Sequence, residues 1–407
     1  MKGLVVFASL TLATAAMAEK FDRSNNPEYF NLVANQSIVL KFSELPLKAT
    51  LKDPRLAWSD SYWRADFGGI AHRWNDSSTK WTSVMENGKE KEVPVRYKLL
   101  TKDEVMNMSE AEMERLSAAE LYDIATGDYN FSLTKKVLGM NSPNDLWWEG
   151  ICHGWALAAS NYPEPQKVVV TNKDGVKVPF GSSDVKGLLS LHDAFNSRGL
   201  YTRIGARCGA VGKVEGEAFE EDGDIGAPSE KAANSKECRD VNAGAFHAVL
   251  ASMIGINSQG FVADIDRFND VWNQPVKGYD SQIIGSEELT AQDIKEGVVS
   301  KVRVKTAMTY GDELEFYSEE LEKEYAAKNE HVGWVSKDPV TGTAMQTDSV
   351  RNYEYVLELN AAGDIIGGEW ISESRPDMLW MKKKDERFRN GKFKLEGLNK
   401  IYKPKSI

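Results

Sequence analysis

Three residues of this chain have the types needed for acyl transfer through sulfur. Cys152 stands in Trp148-Glu-Gly-Ile-Cys-His-Gly-Trp155, and the run from Trp155 to Ala159 favours a helix that begins near the cysteine. A thiol at a helix N-terminus meets unpaired N–H groups and the positive end of the helix dipole, and both favour the reactive thiolate. Gly150 and Gly154 flank it and are expected to leave room for a substrate backbone. His247 follows in Asn242-Ala-Gly-Ala-Phe-His247, and Asp264 in Phe261-Val-Ala-Asp264-Ile-Asp266. Nucleophile, base and orienting carboxylate would form a generalised triad. Two residues compete for these roles. His153 adjoins the cysteine, but successive helical residues do not share a face. Asp266 has the strand parity of Asp264, and Asp264 is preferred because it directly follows the apolar run Phe261-Val-Ala263. The bland alternatives are a buried apolar cysteine and a satisfied core histidine.

The elements that must position these groups follow from the pattern along the chain. Residues 19 to 90 are loop-rich and aromatic. Ser109-Glu-Ala-Glu112 reads as a capping box, followed by Leu116, Ala119, Leu121, Tyr122 and Ile124 at helical spacing, with Gly127-Asp128 as the stop. Asn141 to Asn144 is a turn, and Ser182-Ser-Asp184 starts another helix. Ala245 to Ile254 and Gly260 to Asp266 read as the two strands of a hairpin with a longer loop. Lys301 to Thr309 is a strand, Glu319 to Lys328 a charged helix, and Tyr353 to Leu359 with Ile365 to Ile371 a second hairpin turning at Gly363-Asp364. Helices first and antiparallel strands after give an α+β class. The chain divides into a signal segment 1–18, an N-terminal irregular and partly helical region 19–140, a catalytic core 141–380 and a basic C-terminal tail 381–407.

Composition bounds the setting. Met1-Lys2, an apolar run from Gly3 to Ala15 and Ala16-Met-Ala18 have the layout of a secretory signal cleaved after Ala18, so a secreted or periplasmic protein is expected. That run is too short to span a bilayer, and no later segment is long and apolar enough to do so. The three cysteines suit export if Cys208 and Cys238 form a disulfide across a polar loop, worth roughly 3 kcal/mol in the loop-entropy model, with Cys152 left as the free thiol. A net charge of −11 argues against nucleic acid. Ten basic and three acidic residues between Lys382 and Lys405 read either as a solvated or docked face or as a contact for an anionic surface. No cofactor is called for. The acidic cluster Glu220 to Asp224 lacks the spacing of a calcium-binding loop and reads as solvated. Asn35, Asn75, Asn107 and Asn130 lie in N-x-Ser sequons, which matter only in a eukaryotic host.

The order of a helix-borne cysteine, then a histidine, then a carboxylate on a neighbouring strand is that of papain-like enzymes. Beyond that order, Trp148 to Trp155 resembles the nucleophile motif of the transglutaminase elicitor family. Asn242 to His247 and Phe261 to Asp266 are similar to its base and acid segments. Ser117 to Asp123 with Gly127-Asp128, Val271-Trp-Asn-Gln-Pro275, Ile365 to Trp370 and Trp58 to Trp74 extend the similarity over most of the mature chain. The resemblance implies a papain-like cysteine core and protein-glutamine γ-glutamyltransferase activity, with Cys152 as nucleophile, His247 as base and Asp264 as orienter. The substrates implied are proteins bearing glutamine and lysine. The oxyanion would meet the Cys152 N–H and one further donor, for which Asn144, Trp147 and Trp148 lie upstream. A cysteine peptidase or amidase would share the same three residues, and a non-catalytic secreted recognition protein is the alternative from another class.

Overall fold

The computed structural model describes residues 21–73, 81–86, 89–94, 98–142, 144–146, 148–206, 240–265, 271–313 and 347–406. Its main body is an antiparallel sheet of eight strands: β1 (Lys48–Thr50), β6 (Tyr201–Gly205), β7 (Val262–Asp264), β8 (Asn273–Glu287), β9 (Ser300–Gly311), β10 (Asp348–Leu359), β11 (Ile365–Trp370) and β12 (Met378–Lys382). The order is β11-β10-β9-β8-β7-β12-β6, with β1 also pairing β8. β2 (Trp81–Glu86) with β3 (Lys89–Pro94), and β4 (Val168–Thr171) with β5 (Lys177–Phe180), form two separate hairpins. The helices are α1 (Lys102–Met106), α2 (Glu110–Met113), α3 (Ala118–Thr126), α4 (Ser132–Leu138), α5 (Cys152–Asn161), α6 (Ser182–Phe195), α7 (Ala243–Leu250), α8 (Ala291–Lys295) and α9 (Leu398–Ile401). This is an α+β protein.

The second expected hairpin is present. Tyr353, Tyr355 and Leu357 turn one face of β10 into the core, as their alternation requires. The turn into β11 is tied by Asn360, whose Oδ1 accepts from the N–H groups of Ala362 and Asp364. The first expected hairpin is not. Residues 245–254 are helix, not strand: α7 runs from Ala243, and a π-helical stretch, Ala251–Ile256, continues it. The side chain of Asn242 accepts from Gly244 and Ala245 N–H and so caps the helix. Every residue of α7 is buried, so its sequence is a continuous apolar run without the periodicity that separates helix from strand. Only β7 of that hairpin forms, and it pairs with β8 and β12 instead.

Two further expectations change. The capping box of Ser109 and Glu112 opens only the four-residue α2. The helically spaced residues after it belong chiefly to α3, which has its own box of Ser117 and Glu120. The basic C-terminal segment is packed into the body: β12 lies inside the sheet, and Phe388, Phe393, Leu395, Leu398 and Ile401 are buried.

Helix α5, which begins at Cys152, is held from two sides. It packs on α6 and on β8, and Tyr62 O accepts from Ile151 N–H at 2.8 Å just before it. A Cβ on Gly154 would lie 2.1 Å from Ser190 O of α6, and one on Gly150 would lie 2.4 Å from Tyr62 O. The two glycines expected to admit a substrate instead admit the protein's own backbone.

Candidate active site

Cys152 is the first residue of α5, is 8% exposed, and is a free cysteine. Its N-cap, Ile151, supplies no side-chain hydrogen bond, whereas α1, α2, α3 and α8 all begin with a capping box. The sulfur borders a cleft of about 610 Å³. Trp63, Ile70, Trp148 and Phe195 contribute its apolar wall, and Asp145, Glu149, His153 and Lys392 are among its polar lining. Trp63 holds a left-handed backbone (φ 55°), a conformation rare for a bulky residue. Its N–H donates to Ser61 Oγ at 2.7 Å.

The closest polar neighbours of the sulfur come from the start of β8. The Cys152 thiol donates to Val271 O at 3.5 Å, and Asn273 Nδ2 donates to Sγ at 3.6 Å. Asn273 Oδ1 in turn accepts from Trp380 Nε1 at 2.7 Å. Burial pushes the thiol pKa up to about 11. Asn273 opposes that through its side chain and its backbone N–H, while the carboxylates of Glu313 and Asp264 raise it further. The resting group is therefore a thiol.

Of the expected triad, Asp264 acts electrostatically on the Cys152 thiol, while the hydrogen bond and ring contacts of His247 are to Tyr355 and Phe42. Asp264 is fully buried at the end of β7, opposite Asn273 in the ladder, and its Oδ1 accepts from Trp272 N–H at 3.0 Å. That bond ties the entry to β8 to the end of β7. His247 lies within α7. Its Nδ1 shares a hydrogen bond with Tyr355 Oη at 2.7 Å, Tyr355 Oη meets Thr306 Oγ1, and Thr306 Oγ1 meets Ser281 Oγ. Its ring packs on Phe42, and burial lowers its pKa to about 4. Among the described residues no hydrogen bond or ring contact joins His247 to Cys152. His153 does line the cleft. Its ring stands edge-on to Phe195, and burial lowers its pKa. Asp266, Trp147, Cys208, Cys238 and the cluster Glu220 to Asp224 lie outside the described residues.

Sequence reasoning missed Asn273. The segment Val271 to Pro275 was visible as part of a family resemblance, but an Asn between Trp and Gln carries no sign of its partner. The signal available was position, since it opens the next strand after the one that ends at Asp264.

The family model described as transglutaminase elicitor matches residues 28–390, a span that includes Cys152, His247, Asp264 and Asn273. No curated protein matches the chain significantly. Among solved structures, the GP42 transglutaminase from Phytophthora sojae superposes with a TM-score of 0.51 at 20% identity, over 88% of each chain. At that identity the likeness concerns the fold alone.

Proposed function

The chain belongs to the transglutaminase elicitor family, and from that premise we propose that it is a protein-glutamine γ-glutamyltransferase on a papain-like cysteine core. The Cys152 thiolate attacks the side-chain carboxamide carbon of a protein-bound glutamine. The C–N bond breaks, ammonia leaves with the proton, and a thioester remains. A lysine amine then displaces the sulfur and forms an isopeptide bond; water in its place gives glutamate. The observation that carries this reading is the sulfur at the first position of an uncapped, buried helix, bordering an aromatic-walled cleft. Such a cleft suits an uncharged carboxamide on an aliphatic arm, and Asp145 and Glu149 within its lining favour an approaching ammonium. The Cys152 N–H and the Trp148 indole N–H, which has no hydrogen-bond partner among the described residues, are the proposed oxyanion donors.

The proton acceptor in this reading is His153. It lines the same cleft, and its lowered pKa keeps it neutral at pH 7, the form able to take a proton. His247, with Asp264 as its orienter, is the competing assignment, and single replacements decide between them. Export through residues 1–18 belongs to the same proposal, as does contact of the basic segment 382–405 with an anionic surface. Among the described residues no helix is long and apolar enough to cross a membrane.

The test is incorporation of a fluorescent primary amine into a glutamine-bearing protein by the full chain. Labelling with ammonia release, lost in Cys152→Ser, is the expected result. Peptide cleavage without labelling would replace the transferase by a peptidase. Neither activity from a folded chain would leave a binding protein.

A further inference from the structure

We propose that Asn273 is a catalytic residue whose side-chain amide N–H stabilises the anionic sulfur of Cys152, and that Trp380 is the positioning residue that sets the direction of that amide. The inference rests on the reading of Cys152 as the nucleophile and adds to it a group outside the expected triad.

The argument starts from the ladder. β7 is flanked by β8 on one side and β12 on the other, with Asp264 opposite Asn273 and Val262 opposite Trp380. Directly paired residues of antiparallel strands, and residues two apart on one strand, point to the same face. Asn273 and Trp380 therefore meet across β7 on one face of the sheet. Both are buried, at 4% and 8% exposure, and the Trp380 ring is steadied by Tyr201 at 6.1 Å between centroids.

An indole N–H can only donate. Its 2.7 Å bond to Asn273 therefore requires the amide oxygen on the Trp380 side. The amide nitrogen is then turned toward the sulfur, 3.6 Å away. Without the indole the amide could rotate by half a turn and set an oxygen lone pair against the sulfur. That orientation would repel the charge the reaction has to create.

The second contact of the sulfur makes the amide decisive. In the resting state the thiol proton is given to Val271 O. Once the proton has left, a carbonyl oxygen has nothing to offer an anion, and Asn273 is the neighbour whose bond strengthens with the charge, since bonds to ionised groups are stronger than neutral ones. The carboxylates of Asp264 and Glu313 act in the opposite direction, so the amide donor works against a negative background.

The test is the pH dependence of iodoacetamide alkylation of Cys152 in the full chain between about pH 6 and about pH 11, with Cys152→Ser as the blank for the other two cysteines. Asn273→Leu, which removes the donor without adding a charge, is expected to move the midpoint upward by more than about one pH unit and to slow alkylation at about pH 8 by roughly tenfold. Trp380→Phe should move it in the same direction by a smaller amount. A purely structural role for either side chain would change the melting temperature and leave the midpoint alone. If Asn273→Leu fails to fold, Trp380→Phe decides, and an unshifted midpoint there overturns the proposal. Alkylation needs no glutamine substrate, so the two readings fail separately. Shifted midpoints in a chain that incorporates no amine would retire the transferase and keep Asn273; superimposed profiles in an active transferase would do the reverse.

Discussion

α5 and α7 are both short, apolar and buried, and each carries a member of the expected triad, yet their polar groups live differently. α5 begins at Cys152 itself, behind an Ile151 that offers no side-chain cap. α7 begins behind Asn242, which closes on the first free N–H groups, and its His247 is braced by a chain of hydroxyls from Tyr355 to Ser281. The difference teaches that burial does not by itself mark a reactive group. What distinguishes the two is the surroundings of the polar atom. His247 has a short hydrogen bond at Nδ1 and a buried Nε2 without a partner, whereas Cys152 has long contacts and a cleft.

The largest effect that would break this comparison is on turnover. His153→Gln should lower amine incorporation by on the order of a hundredfold or more, while a folded His247→Gln should stay within about threefold of the parent. The reverse outcome in steady-state assays would return His247 to the sulfur.

Acid provides the next. Burial takes His247 from an ordinary pKa of 6.5 to about 4. The unfolded chain therefore binds this proton more readily than the folded one. The associated stability is present above about pH 6.5 and is lost as pH falls toward 4, up to about 3 kcal/mol. Urea unfolding at the two ends of that window should show a larger loss for the parent than for His247→Gln. Equal losses would mean that the imidazole is not sealed.

Tyr355→Phe should destabilise by about 1–3 kcal/mol in chemical denaturation, because His247 Nδ1 loses its partner inside the core. Asn242→Ala should cost about 1 kcal/mol as a lost cap, and unchanged amine incorporation in that variant would confirm that α7 supports the fold and not the chemistry.

The sequence was legible where the two sides of an element differ. Tyr353 and Tyr355 alternate with the more exposed Asn352 and Glu354 on β10, and Cys152 is followed by a plain helix-forming run, so both elements form where the pattern puts them. α7 has no side that differs, since all of it is buried, and its capping Asn242 was seen only as part of a motif. The same blindness hid Trp380. Met378 to Lys382 is a five-residue strand at the edge of a basic stretch, and nothing local says that it enters the middle of the sheet. Gly150 and Gly154 were noticed as sites of close approach, but a sequence cannot say whose backbone approaches. The site was thus legible in the placing of Cys152 at the start of a helix, and illegible in the cross-strand pairing that brings Asn273 and Trp380 together.

β12 follows β6, β7 and β8 in the chain, yet it lies between β7 and β6. A chain still emerging from the ribosome can pair β7 with β8, but it cannot attach β6 to the sheet or deliver the indole to Asn273. This part of the sheet and the surroundings of Cys152 are therefore completed together, once β12 is available. Until then β7 keeps an open edge on the side that β12 will fill. A truncation that removes β12 should abolish both properties of the finished molecule in one stroke.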